Sequence, residues 1–160
     1  MPQIGDILLI RYKIDPLGWI IQWFINSRWN HSTFIIDEKY LFDCTSAGNK
    51  VKPIKKYQKK FLYEIKLIRF VTLTDEEKVR IYKKVIELSS FKKPGDPLFV
   101  LALIQVALKK KPIINVCSGT VAYFFKSIGI NLVKNKPYYL VSPEDLNQLK
   151  DSIDVTHELC

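Results

Sequence analysis

The chain has 160 residues, enough for one domain with a sizeable core. Its composition, 48% hydrophobic and 26% charged, is that of a globular protein and excludes a disordered or low-complexity one. The net charge of +9, from 25 basic and 16 acidic residues, fits either an anionic partner (membrane surface, nucleic acid, acidic polymer) or a lysine-rich solvated surface.

In chain order, residues 4–13, IGDILLIRYK, read as a first strand. PLGWIIQWFINSRW follows, with Pro16 suited to a first helical turn and Trp19, Ile20, Trp23 and Phe24 at helical spacing. HSTFII and YLFDC form two short strands around Asp37-Glu38-Lys39, and LYEIKLIRFV (62–71) forms another. Between them KPIKKYQKK (52–60) reads as a basic, solvated loop. Thr74 and Glu77 make a capping box before the helix EKVRIYKKVIEL. KKPGDP breaks the chain, and LFVLALIQVAL is a buried helix or strand whose length favours a helix. Asn115 caps a helix from about Val116 that closes at Gly129. YYLVS suggests a last strand, and Ser142-Pro143-Glu144-Asp145 starts a short helix through about Leu149. Helices mixed with antiparallel strands give an α+β class, expected as a single domain over residues 1–160.

The opening MPQIGD has neither a basic n-region nor an apolar h-region, and the longest apolar run, Leu98 to Ile104, falls far short of the ~18 residues that span a bilayer. Cys44, Cys117 and Cys160 are an odd number without CxxC spacing, which argues against a disulfide framework or a zinc site. A reducing cytoplasm is the expected compartment, with no cofactor and no metal.

The chemistry centres on INVCSGTVAYFFKSIGI (114–130). At 100° per residue, Cys117, Val121, Phe124, Phe125 and Ile128 share one helix face, so Cys117 points toward the sheet. That position suits a packed core thiol equally well. At a first helical turn, however, free backbone N–H groups and the helix dipole favour a thiolate and can hold an oxyanion, and Ser118 and Gly119 are small enough to leave space. A nucleophile needs a base. His157, near the tail, reads as a surface residue; His31 opens a strand and is either a half-buried strand-end histidine or that base. Asp43 lies twelve residues further on, an even number, so both share a strand face if the hairpin loop is the three residues Asp37-Glu38-Lys39, with Thr33 opposite Asp43. A two-residue turn would separate them, and Asp43 would then sit on a solvated face.

These segments, in order, are GDILL, WNHSTFII, YLFDC, VCSG and SPEDL. Over Ile4 to Leu149 the chain resembles the circularly permuted papain-like hydrolases, the YiiX-like branch of the NlpC superfamily, to which lecithin–retinol acyltransferases and small phospholipid acyltransferases are related. The resemblance implies a papain-like fold of permuted order, with an antiparallel sheet or barrel packed against helices. It implies Cys117 as nucleophile at a helix N-terminus, His31 as general base and Asp43 as the third polar residue. Relatives usually carry Glu or His at that third position; here it is Asp, followed by Cys44. The tyrosine that often follows Pro-Gly in the family is absent from Lys93 to Pro97. The expected activity is hydrolysis of an amide or isopeptide bond through a thioester acyl-enzyme, on peptide or murein substrates. The acyltransferase relatives imply an acyl-lipid substrate as the alternative. GWIIQWF, flanked by Lys13 and Arg28, could dock on an anionic membrane surface, although an aromatic stripe at this spacing is more often core. A third reading is a non-catalytic basic binding module, but no dedicated nucleic-acid-binding signature is present.

Overall fold

The computed structural model describes residues 1–45, 48–70, 73–89 and 117–159, with Ala102, Gln105 and residues 108–110 between them. The expected break at 92–97, most of the expected helix at 98–108, the Asn115 cap and Cys160 lie outside the described residues.

Six strands form one antiparallel sheet in the order β4-β3-β2-β1-β5-β6. They are β1 (Ile7–Tyr12), β2 (His31–Ile35), β3 (Tyr40–Thr45), β4 (Gly48–Pro53), β5 (Tyr63–Arg69) and β6 (Ile153–Asp154). Period-2 alternation gives the sheet two apolar faces. Ile7, Leu9, Phe34, Phe42 and Ile68 point one way and pack against helices; Leu8, Ile10, Ile35, Leu41 and Leu67 point the other way and pack on Ile54, Tyr57, Val155 and Leu159.

On the first face lie α2 (Asp75–Ser89) and α3 (Cys117–Ser127). The capping box forms as expected: the Glu77 N–H donates to the Thr74 hydroxyl at 3.3 Å, and the Thr74 N–H to the Glu77 carboxylate at 2.8 Å. In α3 the expected sheet-facing residues Cys117, Val121, Phe124, Phe125 and Ile128 are all buried. Its Phe124 ring lies 4.1 Å from that of Phe34, which in turn lies 5.4 Å from Phe42. This aromatic stack fixes α3 over β2 and β3. The helix closes at Gly129, whose φ of +96° few other residues adopt. The Ile130 N–H then donates to the Phe125 carbonyl and the Gly129 N–H to the Lys126 carbonyl.

The hairpin between β2 and β3 has the three-residue loop. Phe34 pairs with Phe42 and Ile35 with Leu41, and the Ile36 N–H donates to the Tyr40 carbonyl. No residue of this loop has a positive φ. The Asp37 carboxylate does the work of the missing glycine, accepting from the N–H groups of Lys39 and Tyr40 at 2.7 and 2.8 Å.

Three sequence expectations need correction. The basic segment is an exposed loop only at its end, residues 58–60. Lys52 and Pro53 end β4, and Ile54–Tyr57 form a 3₁₀ turn with Ile54 and Tyr57 buried. GNKVKP has little β propensity by composition, and it is a strand because β3 supplies a ladder along its whole length. YYLVS is not a strand: Tyr138–Leu140 form a 3₁₀ turn after Pro137, with the Tyr138 ring 5.2 Å from Tyr123 of α3. The last strand is instead the short β6, beyond α4 (Pro143–Asn147). The Ser142–Asp145 capping box starts that helix as the sequence indicated. The aromatic stripe of α1 (Pro16–Ile25) is the third case. Trp19, Ile20 and Trp23 are exposed rather than core.

Arg69 ties the chain ends to the sheet. Its guanidinium donates bidentately to Asp6, at 2.7 and 2.8 Å, and to Glu158, at 2.7 and 3.0 Å. Asp6 is buried, so removing its partner strands a carboxylate away from water. Arg69→Met is expected to lower stability by about 2 kcal/mol, read as a reduced urea midpoint at unchanged slope.

Candidate functional site

His31 is the first residue of β2, and its even spacing from Asp43 puts both on the Tyr57 face of the sheet. The His31 Nε2 lies 2.5 Å from Asp43 Oδ1. Asp43 is completely buried rather than on a solvated face, and two further donors hold its other oxygen: the Tyr57 hydroxyl at 2.7 Å and the Lys52 ammonium at 2.5 Å. With Nε2 engaged, Nδ1 is the ring nitrogen left to face a thiol.

That thiol is Cys117. Its helix packs on the opposite face of the sheet. The His31 imidazole and the backbone N–H groups of Ser32 and Ser118 lie near enough to its sulfur to lower the thiol pKa. Asp43 and His31 are hydrogen-bonded, and Cys117 comes near the ring, the three drawn from β3, β2 and α3. Ser118 and Gly119 leave less open space than their size suggests: a Cβ on Gly119 would come within 3.3 Å of the Tyr138 carbonyl oxygen, so the 138–140 turn seals this side.

The electrostatics separate the two described cysteines. Burial alone raises the Cys117 pKa, but the charge and hydrogen bond of His31, with the N–H groups of Ser32 and Ser118, outweigh it and the thiol is lowered. Burial alone lowers the His31 pKa, but Tyr12, Asp43 and Cys117 outweigh it and the imidazole is raised well above its usual range. Burial also pushes the Asp43 carboxyl up, and His31, Lys52 and Tyr57 together hold it well below the usual carboxylate range. These shifts favour a thiolate beside an imidazolium, with the Asp43 carboxylate behind the ring. Cys44 is the opposite case. Its sulfur bonds the Thr120 hydroxyl at 3.3 Å, and burial pushes it up to about 11. Burial and neighbours thus push the two thiols in opposite directions.

All three sequence candidates come together here, while His157 is exposed on a C-terminal 3₁₀ turn. Sequence reasoning missed Lys52, Tyr57 and Tyr12, whose ring lies 5.9 Å from the imidazole. A usable signal existed for one of them. Lys50 is the cross-strand partner of Asp43, and Lys52 shares its face two residues on, so Lys-x-Lys opposite a strand aspartate reads as a charge pair once β4 is recognised. Among the described residues no group of three or more His, Cys, Asp and Glu is arranged to hold a metal ion, and no helix is long and apolar enough to cross a membrane.

No family model and no curated protein matches the chain. Among solved structures it is similar to the crystal structure of metalloprotein yiiX from Escherichia coli O157:H7, with a TM-score of 0.68 over 96% of each chain at 16% sequence identity. The chain is therefore a mixed α+β protein of yiiX-like fold, and at that identity the likeness carries the fold alone.

Proposed function

We propose that the chain is a thiol hydrolase of the circularly permuted papain-like type, working through a thioester acyl-enzyme on an amide or isopeptide bond. The observation that carries this reading is the His31 ring, hydrogen-bonded to buried Asp43 and near enough to Cys117 for its charge to lower that thiol. The Cys117 thiolate attacks the carbonyl carbon, and the charge on the carbonyl oxygen is met by backbone N–H groups at the start of α3. The tetrahedral adduct collapses as the His31 imidazolium gives its proton to the departing amine, leaving a thioester on Cys117. Neutral His31 then takes a proton from water, whose oxygen attacks the thioester and releases the acid and the thiol. Asp43 keeps the ring in the tautomer and orientation these transfers need.

The yiiX structure is described as that of a metalloprotein. The residues here do not fit a metal at this site. The Asp43 carboxylate is taken up by His31, Tyr57 and the Lys52 ammonium, whose positive charge would repel a divalent cation.

The test is a pair of reactive probes, one acyl amide and one acyl ester, read by mass. The expected result is one adduct per chain at Cys117 and none at Cys44. The faster probe identifies the scissile bond. Labelling of neither probe at Cys117, with iodoacetamide equally slow at both cysteines, would leave a non-catalytic module of the same fold.

A further inference from the structure

α1 bridges β1 and β2, so it begins four residues after Tyr12 and its connection back into the sheet ends at His31. Its inner side is fixed by close approach. A Cβ at Gly18 would come within 2.5 Å of the Asn30 side-chain amide nitrogen, so this side of the helix lies against the residue that precedes His31. At 100° per residue Trp19, Ile20 and Trp23 span an arc of about 100° on the far side. They are 54%, 53% and 78% exposed.

The patch extends beyond the helix. Ile14, just before it, is 72% exposed, and Phe61 in the turn ahead of β5 is 69% exposed. The two pieces are held side by side, since the Lys13 N–H donates to the Leu62 carbonyl at 2.9 Å and the Lys13 ammonium to the Lys60 carbonyl at 2.7 Å. Two indoles and an isoleucine on one face of α1, with exposed Ile14 just before it and exposed Phe61 between the two residues that Lys13 bonds, are more than scattered surface apolarity. Exposed Lys13, Lys59 and Lys60 border them. The nearby acids are Asp15 and Glu64, and Glu64 is already engaged by Arg11 and Arg28.

We propose that this surface, α1 with the 59–61 turn, docks on an anionic lipid bilayer. The chemistry selects that occupant. Tryptophan is the side chain best suited to the headgroup–hydrocarbon boundary, and lysines reach past an apolar patch to lipid phosphates. The net charge of +9 supplies the long-range attraction. Docking this way brings the Tyr12–His31 end of the sheet toward the interface. It stands independently of the reading of Cys117.

The test is co-sedimentation of the full chain with sucrose-loaded vesicles of pure phosphatidylcholine or of phosphatidylcholine with 30% phosphatidylglycerol, alongside tryptophan emission. Trp29 is buried, so an emission change reports Trp19 and Trp23. The expected result is partition onto the anionic vesicles at least tenfold stronger than onto the neutral ones, with a blue-shifted emission quenched by brominated lipid. Trp19→Ala/Trp23→Ala should weaken partition at least tenfold, and Lys59→Glu/Lys60→Glu should do the same with the apolar patch intact. Cys117→Ser should partition like the parent, so membrane docking and thiol chemistry fail or survive separately. The proposal is overturned if no vesicle binds, if both double variants bind undiminished, or if the patch instead makes a dimer that Trp19→Ala/Trp23→Ala dissolves.

Discussion

Cys117→Ala is expected to keep the fold and lose turnover of whichever acyl probe labels the parent, and His31→Ala is expected to lose about 10³-fold or more. The two act as one unit, so the double variant should cost no more than the worse single one. Additive losses would mean that the side chains do not work together. The pH dependence separates their parts. With the Cys117 pKa lowered and that of His31 raised, alkylation by iodoacetamide should stay fast below the usual thiol range. Removing the imidazolium removes the largest influence that lowers the thiol. In His31→Ala the acidic limb of the alkylation profile should therefore move up to or past the ordinary cysteine value of about 8.5, and the rate at neutral pH should fall. An unmoved limb in His31→Ala would sever the thiol from the imidazole and end the proposed mechanism.

The second large effect falls on Asp43. Asp43→Ala takes the carboxylate from three partners at once and leaves the Lys52 ammonium and the His31 ring facing each other in a buried site, at a cost of about 3 kcal/mol. Asp43→Asn keeps the shape and loses the charge. In it the His31 imidazolium should give up its proton at a lower pH, because the ring loses a charge that raises it. The sign for stability follows from the lowered carboxyl. A group whose folded pKa is depressed stabilises the protein above its unfolded value near 3.9, and that stabilisation fades as pH falls toward the folded value. Urea midpoints measured from pH 7 down to pH 2 should fall more steeply for the parent than for Asp43→Asn. Parallel curves would mean that Asp43 is not held as a buried anion.

Much of this arrangement was legible because it depends on period and parity alone. Alternation along residues 31–35 and 40–45 assigns faces, and an odd hairpin loop puts His31 and Asp43 together whatever else the protein does. Helix ends were equally readable at Thr74, Gly129 and Ser142, since caps act within four or five residues. The loop length stayed open in the sequence because Asp37 fills the turn by its side chain, which no glycine announces.

The tertiary structure decided three things that pattern could not. It brought α3 across the sheet so that Cys117 meets the ring, through a Phe34–Phe124 contact between residues 90 positions apart. It made a strand of GNKVKP and so delivered Lys52 to Asp43. It left the tryptophan face of α1 open, where helical spacing had suggested core. The reason is common to all three. Covalent periodicity says which side chains point the same way, but what they meet is a property of neighbours supplied from elsewhere along the chain, and a hydrophobic face reads the same whether protein or water covers it.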